Sequence, residues 1–213
     1  MMQTLSAGAS ALSSPAGCAM RQLHSLLWIL MTITPLAIPD VLLITPKRHG
    51  DDRGWFAETW SHKALAGSGA DTAFVQDNQA FSAAKGTLRG LHFQMPPHAQ
   101  GKLIRVLRGA IYDVAVDIRT GSPTFGRWVS AELTAQGGEQ LWVPRGFAHG
   151  YCTITDDCEI FYKVDGQYAP DREGGIAWND PDLAIPWPLD GSPLLSGKDQ
   201  VLPRLRNLGP VNF

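Results

Sequence analysis

From Val41 onward, apolar and β-branched residues come in short runs, each bounded by glycine, proline, aspartate or serine, which is the pattern of successive strands. The runs fall at residues 41–44, 74–76, 103–107, 110–117, 126–132, 140–143, 150–154 and 159–164. Such regular spacing predicts an all-β domain, a sandwich or a barrel. Within 110–117, alternation sets Ile111, Asp113, Ala115 and Asp117 on one face and Tyr112, Val114 and Val116 on the other, so two acids share a face opposite an apolar one. The one modest helix signal is 61–66, with Ser61 as N-cap. No internal repeat of useful length is visible.

Composition narrows this picture. With 213 residues, 44% of them hydrophobic, the chain can fill one sizeable core and is short for two. Fifteen prolines and 22 glycines spread along its length suit many short strands better than helices. A net charge of −2 offers no general attraction to nucleic acid or to an anionic membrane, so an anionic ligand has to be held by local arginines and lysines. Cys18, Cys152 and Cys158 have neither disulfide-framework nor zinc spacing, and a reducing cytoplasm is the expected location. The apolar run 26–30 is far shorter than the roughly 18 residues that span a bilayer, and no clean signal-peptide cleavage site follows it before Pro35. Residues 1–30 are expected to be an N-terminal extension, disordered or preceding a natural start at Met31, with 31–213 forming a single domain.

The candidate chemistry lies in two segments. Gly86-Thr-Leu-Arg-Gly-Leu-His92-Phe-Gln94 is followed by Lys102, and Val143-Pro-Arg-Gly-Phe-Ala-His149-Gly carries a second histidine. The spacing Gly138-x5-Pro144-x-Gly146-x2-His149 resembles the second signature of the cupin superfamily, and Gly86-x5-His92 opens the first. That resemblance implies a cupin-type jelly-roll β-barrel with a few short helices. Metal-binding cupins continue the first signature with a second histidine and a glutamate. Here those positions hold Gln94 and Lys102, which leaves few ligands and places an ammonium where it would repel a metal. Neither metal nor other cofactor is expected.

A narrower resemblance covers nearly all of the chain after Met31. Asp52-Arg-Gly-Trp-Phe-Ala-Glu58, Phe74-Val-Gln-Asp-Asn78, Leu88-Arg-Gly-Leu-His-Phe-Gln94, Trp142-Val-Pro-Arg-Gly-Phe-Ala-His149, Trp178-Asn-Asp-Pro-Asp182 and Leu195-Ser-Gly-Lys-Asp199 together resemble the dTDP-4-dehydrorhamnose 3,5-epimerases. The resemblance implies inversion of C3 and C5 in a 4-keto-6-deoxyhexose carried on thymidine diphosphate, on the route to dTDP-L-rhamnose, by a homodimer whose N-terminal strands reach across to the partner. Both carbons flank the C4 ketone, so loss of either proton gives an enolate, and inversion requires a base on one face and an acid on the other. His92 matches the family's base; an imidazole ordinarily titrates near pH 6.5, about the working pH. Tyr162 matches the proton donor, and Asp199 the acid that pairs with the histidine. Lys102, in the vacated ligand position, is read as the cation facing the enolate oxygen. Arg53, Glu58, Gln76, Asn78, Arg89, His149, Glu173 and Lys198 match substrate-binding positions, and Tyr168 the residue that stacks on thymine. The position before it is Gln167, where relatives often carry a second tyrosine.

Taken singly, most of these residues have commoner roles: a lone histidine in the core, a tyrosine on an amphipathic strand, an aspartate in solvent. It is the motif context that reverses those priors for His92 and Lys102. Two other readings stay open, an epimerase that inverts one carbon of another dTDP-4-keto-6-deoxy sugar and a catalytically silent sugar-nucleotide binder. The joint presence of His92, Tyr162, Lys102 and Asp199 argues against the second.

Overall fold

A computed structural model describes residues 31–213, so the expected extension 1–30 lies outside the described residues. The short runs become two facing antiparallel sheets. The larger has six strands in the order β1 (Met31–Pro35), β2 (Leu42–Pro46), β10 (Gln140–Val143), β7 (Lys102–Arg108), β12 (Cys158–Val164), β5 (Gln76–Ser82). The smaller has five, β13 (Glu173–Gly175), β6 (Leu88–Gln94), β11 (Phe147–Thr153), β8 (Ala110–Asp117), β9 (Trp128–Thr134). A separate hairpin pairs β3 (His49–Asp51) with β4 (Gly54–Phe56). This is the all-β arrangement that the run spacing predicted, and the cupin-like form that the resemblance implied.

The described residues contain no α-helix, and helical structure is confined to three-residue 3-10 turns such as 199–201. The expected helix at 61–66 forms only a hydrogen-bonded turn. Its Leu65 N–H reaches Ser61 O at 3.1 Å, and the Ser61 hydroxyl accepts weakly from Ala64 N–H at 3.4 Å. Six residues ahead of Gly67 and Gly69 are too few to offset the cost of nucleating a helix. What holds the turn is the burial of Leu65 against Trp142 and Leu103 on the outside of the larger sheet.

Three apolar layers account for the rest. Between the sheets, Ile104, Ile111, Leu133, Leu141 and Ile160 are fully buried, each such side chain contributing roughly 1.5–3 kcal/mol by leaving water. The outer face of the smaller sheet is covered by the C-terminal segment through Ile176, Leu183 and Leu205. As a result both faces of β8 are buried, and the acid-bearing face assigned to it from alternation looks into the barrel, not into solvent. Asp117 ends that strand in a turn, where it accepts from Arg119, Ser122 and Thr124. Burial works against its ionised form, but these bonds outweigh it and hold the carboxyl down at about 2.

Along three inward-facing rows the residue type changes toward one end of the barrel. On β7 the row runs Val106, Ile104, Lys102; on β12 it runs Cys158, Ile160, Tyr162; on β8 Asp113 sits between Ile111 and Ala115. One end of the interior is therefore packed and the other is polar and open.

Candidate active site

The polar end is a cavity of about 880 Å³, joined through shared walls to a further 230 Å³. His92 enters it from β6 and His149 from β11, opposite each other in the antiparallel register. These strands lie unusually close. A Cβ on Gly90 would stand 2.5 Å from the Gly150 Cα, and Gly90 has φ +125°, so a side chain there is excluded by both space and backbone conformation. Gly90, two residues before His92, and Gly150, directly after His149, are what let the two imidazoles share one wall.

Each histidine has its own carboxylate. His92 Nε2 lies 2.5 Å from Asp199 Oδ1, with Asp199 only 3% exposed. The second oxygen of Asp199 accepts from the Ser196 hydroxyl at 2.8 Å. Burial raises the cost of charging Asp199, yet the hydrogen bonds from His92 and Ser196 prevail and hold it below the usual carboxylate range. An ionised Asp199 accepts a hydrogen bond from the Nε2–H, which leaves Nδ1 as the basic nitrogen. His149 Nε2 pairs in the same way with Asp113 Oδ1 at 2.6 Å, fully inside the barrel.

The opposite wall comes from the larger sheet. Tyr162 on β12 faces the cavity, and burial raises its phenol above the ordinary value, with the charge of Arg89 offsetting only part of this. Lys102 on β7 lies between the walls, its Nζ 3.4 Å from the His92 carbonyl. Burial pulls its pKa down from 10.5 to about 8, against the upward pull of Asp113 and Glu173.

Arg89 is aimed along the rim, its Nη2 donating to Phe81 O at 3.0 Å and its Nε to Ser82 Oγ at 3.3 Å. Gln76 donates to Asn78 at 2.8 Å on β5, in the smaller lobe. There Glu173 accepts from Lys198 at 2.6 Å and from the Tyr168 hydroxyl at 3.1 Å. Burial alone would raise Glu173, but these partners pull it below its usual value.

Eleven of the thirteen residues singled out from sequence thus line or border one cavity. Arg53 and Glu58 do not. Arg53 sits on the β3–β4 hairpin, exposed and paired with Asp51, beside Trp55 and Phe56, which are 59% and 72% exposed. Glu58 follows that hairpin with a buried Oε1 that has no hydrogen-bond partner. Residues that sequence reasoning passed over are Asp113, Ser82 and Ser196. Asp113 had one visible signal, an acid alternating with apolar residues on a strand; Ser82 and Ser196 had none, because a serine in a polar stretch looks the same whether or not it holds a neighbour.

Comparisons with known proteins point to one family. The family model described as dTDP-4-dehydrorhamnose 3,5-epimerase matches residues 35–207. A dTDP-4-dehydrorhamnose 3,5-epimerase of Sinorhizobium fredii is 50% identical over 183 residues, 86% of this chain and 93% of the relative. The crystal structure of the dTDP-4-dehydrorhamnose 3,5-epimerase of Bacillus anthracis with TDP and PPi bound superposes with a TM-score of 0.79 at 50% identity, covering 82% of this chain and 99% of that one. ChmJ, a 3'-monoepimerase from Streptomyces bikiniensis in complex with dTDP-quinovose, superposes at 0.76 with 38% identity, over 81% of this chain and 87% of that one. With the motif residues gathered around one cavity and the match extending over most of its length, the chain belongs to the dTDP-4-dehydrorhamnose 3,5-epimerase family.

Proposed function

We propose that this protein is the isomerase that converts dTDP-4-dehydro-6-deoxy-D-glucose to dTDP-4-dehydro-L-rhamnose in dTDP-L-rhamnose biosynthesis, by inverting C3 and C5 in turn. The observation that carries this is the placement of a His–Asp pair and a protonated phenol on opposite sheets, across a single cavity. Inversion next to a ketone needs a base on one face of the sugar and an acid on the other, and two walls of a barrel provide that without any side chain having to move between faces.

In this reading Nδ1 of His92 takes the C–H proton, Asp199 stabilises the imidazolium that forms, and the electron pair moves into the C4 carbonyl as an enolate. Tyr162 delivers its proton to the opposite face of the same carbon, and the phenolate recovers a proton from solvent. Lys102 stands where a metal-binding cupin has a ligand and supplies the positive charge for the enolate oxygen; a fixed cation is most effective in such a secluded site. Arg89 and Lys198 take the diphosphate. Gln76, Asn78, His149 and Glu173 contact sugar or nucleotide, and Tyr168 stacks on thymine.

The homodimer belongs to the same proposal. It is supported by the two binding-motif residues outside their own cavity, on a hairpin with exposed aromatic side chains: Arg53 and Glu58 would complete the partner's site. Sedimentation of the purified protein as a 23.1 kDa monomer at micromolar concentration would overturn that part.

The deciding experiment is proton NMR of dTDP-4-keto-6-deoxyglucose with the protein in deuterium oxide. Solvent deuterium is expected at both C3 and C5, with dTDP-L-rhamnose formed once the reductase and a nicotinamide donor are added. Exchange at a single carbon would establish the one-position epimerase instead, and no exchange at either would remove the epimerase reading.

Lys102 sets the expected pH dependence. Its ammonium is needed and is lost as pH rises through about 8, so kcat/KM of the free enzyme should fall through that region, well below the ordinary lysine range. In Lys102→Arg the cation persists, and any residual activity should lose this alkaline limb; an unchanged limb would assign it to another group. The stability term has the opposite sense. Because folding lowers this pKa, the cost of the buried ammonium is full below about pH 8 and is relieved as pH rises toward 10.5.

A further inference from the structure

Gln94 is the residue of the barrel signature that the chemistry above leaves unused. It stands two residues after His92 on the same strand, at the position where metal-binding cupins place a second histidine, and it is 4% exposed. Its side-chain carbonyl accepts the Ala169 N–H at 2.9 Å, a bond between residues 75 apart in the chain. That N–H belongs to the peptide that follows Tyr168.

The loop 165–172 joins β12 to β13 and is tied down near both ends. Gln100 donates to Gly166 O at 2.7 Å and Met95 N–H to Arg172 O at 2.8 Å. Between those ties, Gln94 holds the peptide beside Tyr168 to β6. Tyr168 is the only aromatic residue in the loop, since Gln167 precedes it. Its ring is half exposed, and its hydroxyl bonds to Glu173. A ring that is packed so lightly is placed by its backbone, and the amide of Gln94 fixes that backbone next to the ring.

We propose that Gln94 is a positioning residue for the nucleobase: the position that metal-binding relatives use for a ligand is used here to hold Tyr168 ready to receive a pyrimidine face. This rests on the reading that Tyr168 stacks on the thymine of a dTDP-sugar. Preorganisation of this kind acts on affinity. The immobilisation cost of the loop is met during folding and not at binding, while the proton-transfer groups are untouched.

Gln94→Met keeps the volume and removes the acceptor, leaving the Ala169 N–H without its partner. Calorimetry is expected to show dTDP binding about tenfold weaker than wild type, as for loss of a bond that leaves a buried donor unpaired. KM for the sugar nucleotide should rise by a similar factor while kcat stays within about twofold, the signature of lost uniform binding. In a Tyr168→Ala background, Gln94→Met should add nothing further. Two results would overturn the proposal: wild-type dTDP affinity in Gln94→Met, or an effect that adds in full to that of Tyr168→Ala, which would mark a general loosening of the barrel. An arm that needs no variant is amide hydrogen exchange on the wild type. The Ala169 amide is expected to be protected in the free enzyme and more so with dTDP; exchange at an unprotected rate would also overturn it. Failure of the wild-type protein to bind dTDP at all would instead remove the functional reading on which the proposal stands.

Discussion

His92→Asn is expected to lower kcat by about a thousandfold, in the middle of the range for loss of a positioned general base, while leaving dTDP affinity within a few-fold of wild type. The reason is local. His92 is only about a quarter exposed and is held by a carboxylate that is itself ionised, buried and anchored by Ser196. Asparagine fits the space and can donate to Asp199, but has no basic nitrogen. The fold should survive, because Asp199 keeps its Ser196 bonds and the neighbouring Leu91 and Phe93 remain in the layer under the C-terminal segment. Deuterium exchange should disappear at C3 and C5 together if one base serves both carbons. Exchange surviving at one carbon would mean that the second pair, His149 with Asp113, acts there, and the single-base mechanism would be wrong. Exchange surviving at both would remove His92 from the chemistry.

Tyr162→Phe should separate two events that the wild-type enzyme couples. With His92 intact, proton removal and return on the same face continue, so solvent deuterium should still enter next to the ketone. Inversion, which needs delivery from the opposite sheet, should fall by about a hundredfold or more. The substitution deletes one hydroxyl from a side chain packed against the edge of the apolar core, so stability should change by no more than about 1 kcal/mol. The measurement is a comparison in one NMR time course of the rate of deuterium incorporation with the rate of appearance of the inverted sugar. Inversion at the wild-type rate would show that another donor, such as a water held by Lys102, occupies that face. Loss of exchange together with inversion would mean that the phenol also supports deprotonation.

Both results depend on the relation between two strands that local sequence patterns describe unequally. Of the strands read from short apolar runs, 110–117 and 140–143 formed at those bounds, while 103–107, 126–132, 150–154 and 159–164 formed with their ends displaced. The run 74–76 gave only the edge of β5, which continues to Ser82 through Asp77, Asn78 and Gln79, and β6 carried no strand signal of its own. Both strands border the cavity, so several of their inward positions are polar, and alternation rules that look for an apolar face miss them. The same cause makes the acidic face of β8 look like a solvent face when it is an interior one. At 61–66, a helical pattern of one turn was overridden by glycine and by the burial of Leu65.

Local patterns along the chain are enough to settle the class of fold and to supply the candidates for the chemistry. Short apolar runs punctuated by glycine and proline specify strands because their period is local to the chain. His92, Tyr162, Lys102, Gln94 and Arg89 stand out as candidates through motifs that resemble those of one family, since residue type alone gives each of them a commoner role. Tertiary structure alone decided which of them meet. His92 and Tyr162 oppose each other because β6 and β12 fall in different sheets, and Asp199 reaches His92 from 107 residues away. Asp113 lies under His149, and Arg53 and Glu58 stand outside the cavity of their own chain. Periodicity tells a side chain which face of its strand to take, but the order in which strands join a sheet is set by packing among residues distant in sequence, and a catalytic site across a barrel is made from that order.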